Sequence, residues 1–243
     1  MIKTYEDCKV TVLRSTQCPE VLVHHAIGLT MHKDPTVTEM TPSLCKFLLT
    51  AEHASVFEHA TITFLIEGCS RSFLAQVTRQ RTFSFTSGSQ HYQPYGKYPA
   101  VVHKDLIGNK DMECAINVAY GSYDEMVSNN IPIEEARQAL PNAAAVNIMI
   151  TCDARNLVSF FRARRCERNV TEMIMVADAM WRHCVDWFPA LFGQVGAPCV
   201  MDGKCNQCHM KSPKCKAPID ADFIRPLEEC EAEEAEARED AEC

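Results

Sequence analysis

Apolar residues recur with strand and helix periods in turn along this chain. "VTVL" (10–13) predicts a short strand, and "ATITFLIEG" places Ile62, Phe64 and Ile66 on one strand face, ended by Gly68. Between them, "PEVLVHHAIGLTM" (19–31) predicts a helix opened by a proline. "TPSLCKFLLTAEH" predicts another, with Thr41 as N-cap, Pro42 at the first helical position, and Leu44, Phe47, Leu48 and Ala51 on one stripe. In "CSRSFLAQVTRQR" Phe73 and Val77 sit four apart, with Gln76 and Arg79 on a neighbouring side, so a helix delivers arginines into the loop that follows. There, Phe83 and Phe85 interleave with hydroxyl residues, the pattern of a strand buried on one side and presenting donors on the other.

The second half continues the mixture. "YPAVVH" predicts a strand, residues 114–127 a helix burying Ile116, Tyr120, Tyr123 and Val127, and "IPIEEARQALP" a short helix stopped by Pro141. "AVNIMITCDAR" is strand-like, "NLVSFFRARRCERN" helical, and a long helix follows with Ile174, Ala177, Trp181, Cys184 and Phe188 on one face. Helices and strands without regular βαβ alternation predict an α+β fold, and no internal repeat is present.

A chain of 243 residues is long enough for one domain with appendages. Its net charge of −8 is unevenly placed, because "EECEAEEAEAREDAEC" (228–243) holds nine acids and one arginine and leaves 23 charges of each sign in the body. Such a tail reads as solvated and disordered. The acidity argues against wrapping long nucleic acid, yet leaves room for a small anionic ligand in a local basic pocket. No stretch has the length of a membrane span and the N-terminus lacks a secretory signal, so a cytoplasmic protein is expected. Its 14 cysteines then read as reduced core residues or metal ligands.

Chemistry concentrates in two basic clusters, Arg79 with Arg81, and Arg155, Arg162, Arg164, Arg165 and Arg168, with Arg137 between them in sequence. Guanidinium forks suit phosphate and the acceptor edge of a base, and "TSGS" adds hydroxyls and a backbone able to turn N–H groups toward an anion. Together they predict a nucleotide site. The plainer reading, surface pairing with acids, is favoured for Arg162 and Arg165 taken singly. "EHASVFEH" brings His53, Ser55, Glu58 and His59 together, but its histidines are six apart rather than at zinc-protease spacing.

Two longer stretches, "AEHASVFEHATITFLIEGCSRSFLAQVTRQRTFSFTSGSQHY" and "ARQALPNAAAVNIMITCDARNLVSFFRARRCERN", resemble in order and spacing the signature regions of the flavin-dependent thymidylate synthases. The family hallmark, Arg-His-Arg followed after seven residues by Ser, is matched by Arg79-Gln80-Arg81 and Ser89. The likeness spans roughly residues 10–200. It implies a mixed, mostly antiparallel sheet packed with long helices, and a homotetramer with active sites shared between subunits. It further implies a methyltransferase that converts dUMP to dTMP with methylenetetrahydrofolate, using FAD reduced by NADPH. Carried over by position, Gln76, Arg79, Ser87, Gly88, Ser89, Gln90 and His91 would hold dUMP, joined by Arg137 and Arg164 at the base. His53, Ser55, Arg79, Gln80, Arg81, Asp153, Arg155, Ser159 and Arg168 would surround the flavin. Arg164 would stabilise negative charge building on the N3–C4–O4 edge of the pyrimidine. Ser89 would be either a weak nucleophile or an organiser of phosphate and backbone, and the lack of a neighbouring histidine base favours the organiser.

Three positions depart from the family pattern. Gln80 replaces a histidine, Asp153 an asparagine, and His91 an arginine that grips the nucleotide phosphate. Glutamine cannot carry charge, aspartate cannot donate as an amide does, and histidine is not a fixed cation, which predicts weaker and pH-dependent phosphate binding. A different pyrimidine substrate, or a catalytically silent nucleotide-binding protein, therefore stands beside the leading reading. Downstream, Cys199, Cys205, Cys208 and Cys215 are compatible with a structural zinc site and equally with a loose reduced segment. The expected organisation is a synthase-like domain over 1–195, a cysteine-rich segment over 196–217 and an acidic tail over 218–243.

Overall fold

A computed structural model describes residues 2–30, 40–92, 94 and 98–203. Its centre is a four-stranded sheet in the order β2 (Lys9–Ser15), β3 (Thr61–Ser70), β6 (Ala145–Asp153), β4 (Ser84–Ser87), antiparallel throughout. Val12 lies opposite Phe64, Phe64 opposite Ile150, and Ile150 opposite Phe85, so one row of apolar side chains crosses all four strands. Ile62, Phe64, Ile66, Ile148 and Ile150 are all buried on that face, as the strand periodicity requires.

Two helices cover it. From α6 (Ala154–Arg164) come Leu157, Phe160 and Phe161, and from α7 (Thr171–Trp187) come Met173, Val176, Ala177, Met180 and Cys184. Phe188 and Phe192, the latter ending α8 (Pro189–Phe192), continue this core by edge-on contacts with Phe57 and Phe161. Each fully buried ring of this kind contributes roughly 1.5–3 kcal/mol relative to leaving it in water. Within α7, Ile174 and Trp181 prove only half-buried, because the tightly packed stripe runs through Met173, Val176 and Met180.

The caps follow local rules. In α2 (Pro42–Thr50) the Thr41 side chain accepts from Leu44 N–H and Pro42 occupies the first turn. Its buried face is formed by Cys45 and Leu48, whereas Phe47 is 58% exposed, so the predicted stripe is rotated toward solvent at that residue. The strand predicted to stop at Gly68 runs on to Ser70. Gly68 adopts a left-handed φ of +74° where the register shifts between Ile66 and Cys69, making a bulge rather than an end.

A smaller layer adjoins the sheet. β1 (Ile2–Thr4) pairs in parallel with β5 (Ala100–Val102), and α4 (Lys110–Ser128) packs Ile116 over that pair. Tyr123 of α4 reaches Ala136 at the end of α5 (Ile133–Ala136), while α1 (Pro19–Thr30) adds Val23 to the main core. Among the described residues no helix is long and apolar enough to cross a membrane.

Candidate functional site

Helix α3 (Arg71–Val77) begins where β3 ends, and Ser70 is its N-cap, accepting from Phe73 N–H at 3.0 Å. The same hydroxyl donates to Glu172 Oε2 at 2.5 Å while Ser70 N–H donates to Oε1 at 2.7 Å. Both residues are buried, Ser70 at 2% and Glu172 at 3% exposure. Burial pushes the Glu172 carboxyl above its ordinary range, and the two Ser70 bonds pull the other way. This clamp ties the start of α3 to the first turn of α7 and fixes the helix that carries Gln76 toward the arginine turn.

That turn is closed by backbone bonds from Gln80 N to Val77 O and from Phe83 N to Gln80 O. Phe83 is buried against Phe160 of α6, centroids 5.3 Å apart, which anchors the turn beside the sheet. Arg79 and Arg81 point outward and are exposed. Beyond them, Ser84 lies opposite Thr151 and Thr86 opposite Met149, all on the outer face of the sheet, where Thr63 and Thr151 share a 3.0 Å hydroxyl contact. Ser84 and Thr86 are exposed, so the expected strand with one apolar and one donor-bearing side is present.

Two groups of residues then separate along β6. At its C-terminal end Asp153 caps α6, accepting from Asn156 N–H at 2.9 Å and from the Asn156 amide at 2.6 Å, one bond on each carboxylate oxygen. Ala154 N–H reaches Ala60 O, bringing the 3-10 turn Ala54–His59 against this end, and Arg155 pairs with Glu58 of that turn. His53 precedes the turn, Ser55 lies within it, and the exposed Ser159 follows Arg155 by one helical turn. At the N-terminal end of β6, Gly88 N–H donates to Asn147 O at 3.0 Å, Ser89 Oγ accepts from His91 N–H at 3.0 Å, and Arg71 donates to Gly88 O at 3.3 Å. Residues 147 and 153 are six apart, about 20 Å along a strand. Arg164 and Arg168 lie at and beyond the far end of α6, which at about 1.5 Å per residue is roughly 15 Å from Asp153.

The arginines fall into two classes. Arg155, Arg162 and Arg165 pair with Glu58, Asp202 and Asp178, and Arg165 also lies 3.8 Å over the Trp181 ring. The surface-pairing reading thus holds for Arg162, Arg165 is paired in a largely buried setting, and Arg155 is pulled toward Glu58. Among the described residues no ion pair engages Arg79, Arg81, Arg137, Arg164 or Arg168. Arg137 donates to Glu134 O, and Arg164 to Asn169 Oδ1, whose own amide is held by Ala163 O and Cys166 O.

Among the described residues, concavities of about 210, 700 and 260 Å³ open beside Tyr5, Trp187 and Trp181. None takes a side chain from residues 76–91 or 153–164. Cys199 lies in α9 (Pro198–Met201), and Cys205, Cys208 and Cys215 lie outside the described residues. Among the described residues no group of three potential metal ligands comes together.

Sequence reasoning missed the Ser70–Glu172 clamp and Arg71. A lone acid on the buried stripe of α7, beside Met173 and Val176, was the available signal for the first.

A family model described as "Thymidylate synthase complementing protein" matches residues 11–190. The flavin-dependent thymidylate synthase of Geobacter sulfurreducens is 31% identical over 220 residues, 85% of this chain and 94% of that one. Its counterpart from Clostridium tetani is 29% identical over 234 residues, covering 85% and 93%. Among solved structures, a UMP/dUMP methylase PolB from Streptomyces cacaoi bound with 5-Br dUMP superposes with a TM-score of 0.69 at 24% identity, covering 79% of this chain and 96% of that one, a likeness of fold. With the motif order, the sheet and these matches in agreement, the chain belongs to the flavin-dependent thymidylate synthase family.

Proposed function

We propose that this protein reductively methylates dUMP to dTMP, with methylenetetrahydrofolate as one-carbon donor and FAD, reduced by NADPH, as cofactor. The observation that carries the reading is the set of guanidinium groups, Arg79, Arg81 and Arg164, that no carboxylate engages among the described residues, in a chain of this family whose neighbouring edge strand exposes Ser84, Thr86 and Ser87. Guanidinium forks whose charge is not neutralised, beside hydroxyl and backbone donors, suit a phosphorylated ligand.

In this reading Gln76, Arg79 and residues 87–91 hold dUMP, with Arg137 and Arg164 at the base. Arg164, oriented through Asn169, faces the pyrimidine edge where negative charge develops; such a preorganised donor lowers the barrier by roughly 3–4 kcal/mol. Ser89 organises the loop, since its oxygen already accepts from His91 N–H. His53, Ser55, Arg79, Gln80, Arg81, Asp153, Arg155, Ser159 and Arg168 form the flavin side, where Arg79, Arg81 and Arg168 have no carboxylate partner among the described residues and suit an anionic dinucleotide. When bound, FAD supplies the hydride that the side chains here cannot. The separation of about 20 Å between the loop and Asp153 within one chain supports sites completed by neighbouring copies, as in a homotetramer. The segment over 196–217, with Cys199, Cys205, Cys208 and Cys215, is proposed as a structural zinc site, tested by elemental analysis of purified protein.

One observation favours a second reading. Asp153 presents a carboxylate, which has no N–H to offer a cofactor or ribose acceptor, and both its oxygens already accept from Asn156. A changed pyrimidine would accompany that change, and dCMP and UMP belong in the same assay; the Streptomyces cacaoi neighbour is itself a UMP/dUMP methylase. Growth of a thymidine-requiring bacterial host without thymidine, when supplied with this chain, tests the leading reading. Absence of growth with soluble, flavin-loaded protein present contradicts it.

A further inference from the structure

The loop proposed to hold the nucleotide contains no arginine: it reads Ser87-Gly88-Ser89-Gln90-His91. The His91 ring packs against Tyr92, centroids 4.2 Å apart, and its backbone N–H is spent on Ser89. A histidine is not a permanent cation. What reaches the loop from outside is Arg71. Its backbone is rigidly placed, because Arg71 N–H bonds Ala144 O and Ser72 N–H bonds Asn142 O, each at 3.0 Å, directly after the buried Ser70. Its guanidinium donates to Gly88 O at 3.3 Å, while Gly88 N–H is held by Asn147 O and the Asn147 side chain is held by Gly68 N–H at 2.9 Å.

We propose that Arg71 is the fixed cation of the nucleotide loop, binding the phosphate of a nucleoside monophosphate beside Ser89 and His91. One of its five N–H groups is used on Gly88, which aims the fork at the loop and leaves the others free for phosphate oxygens. It is half-buried, and among the described residues no carboxylate pairs with it, so its charge is neither cancelled nor fully screened. The loop thereby recovers from β3 and α3 the charge that position 91 does not supply. The inference rests on the nucleotide-binding reading above.

Calorimetric titration of the full chain with dUMP, deoxyuridine and inorganic phosphate tests it, with thermal unfolding as the folding control. Arg71→Gln is expected to weaken dUMP about ten- to a hundredfold, the loss of one charge-assisted contact, while deoxyuridine binding changes little. Arg71→Lys, which keeps the charge, is expected to retain most of the preference for dUMP over deoxyuridine. Combining Arg71→Gln with His91→Arg is expected to restore part of that preference. Equal weakening of dUMP and deoxyuridine in Arg71→Gln overturns the proposal, as does Arg71→Lys with no remaining phosphate preference. If the unmutated protein binds neither dUMP nor deoxyuridine, it is the nucleotide-binding reading that fails, and the inference falls with it.

Discussion

Replacing Ser70 with alanine removes two hydrogen bonds made by one buried oxygen. The first, from Ser70 Oγ to Glu172 Oε2 at 2.5 Å, is a bond to an ionisable carboxyl and is worth roughly 1.5–3 kcal/mol. The second, from Phe73 N–H to Ser70 Oγ, caps α3 and is worth about 1 kcal/mol. The two share an atom and do not simply add, so the expected loss is about 3 kcal/mol, a large part of the roughly 5–15 kcal/mol that keeps a typical domain folded. For a domain of this size that corresponds to a fall of about 10 °C in Tm. Urea unfolding at fixed protein concentration measures it. Glu172→Gln, which keeps an acceptor for Ser70 N–H, is expected to cost less at neutral pH. The same pair carries a pH signature. Burial raises the folded carboxyl above its unfolded value, so the folded state binds the proton more tightly; the stabilisation is complete below roughly pH 4 and is lost as pH rises through the folded value. Glu172→Gln should lack that decline when its unfolding curves are compared with those of the unmutated chain. A loss below about 1 kcal/mol for Ser70→Ala, or identical pH profiles for Glu172→Gln and the parent, would refute the clamp as an energetic element.

Arg164→Ala is expected to lower kcat by about a hundred- to a thousandfold with a smaller change in KM for dUMP and no change in Tm, read by steady-state kinetics and thermal unfolding. Asp153→Ala, which removes the cap of α6, should cost about 1 kcal/mol in urea unfolding, whereas Asp153→Asn keeps an acceptor and should stay within a few tenths of the parent. Alkylation of the folded protein followed by peptide mass analysis should, among the described cysteines, label exposed Cys18 and Cys114 first. Burial pushes the Cys8 and Cys45 thiols up to about 12, and those of Cys69, Cys152 and Cys184 up as well, so these should resist until the chain unfolds.

Local signals in the sequence carried most of the elements. Alternation placed β3 and β6, the Thr41-Pro42 pair placed the start of α2, and Phe83 with Phe85 placed the edge strand. Where local reasoning failed, a tertiary contact decided. Gly68 reads as a terminator, but Asn147 from the neighbouring strand accepts its N–H and carries the ladder through a bulge. Phe47 reads as core, but the narrow face of α2 is filled by Cys45 and Leu48. Pairs such as Ser70 with Glu172, 102 positions apart, leave no local pattern. For the site, the arginines were visible as a set, and the structure adds which of them are already neutralised. Asp153 illustrates the limit: its departure from the family pattern was legible, its service as a helix cap with both oxygens engaged was not.

Product analysis by mass spectrometry addresses the central claim most directly. Purified protein is supplied with FAD, NADPH, methylenetetrahydrofolate and dUMP carrying tritium at position 5. Formation of dTMP in step with tritium release and NADPH consumption is the predicted result; tritium release without dTMP, or unchanged dUMP in the presence of flavin-loaded protein, would contradict it.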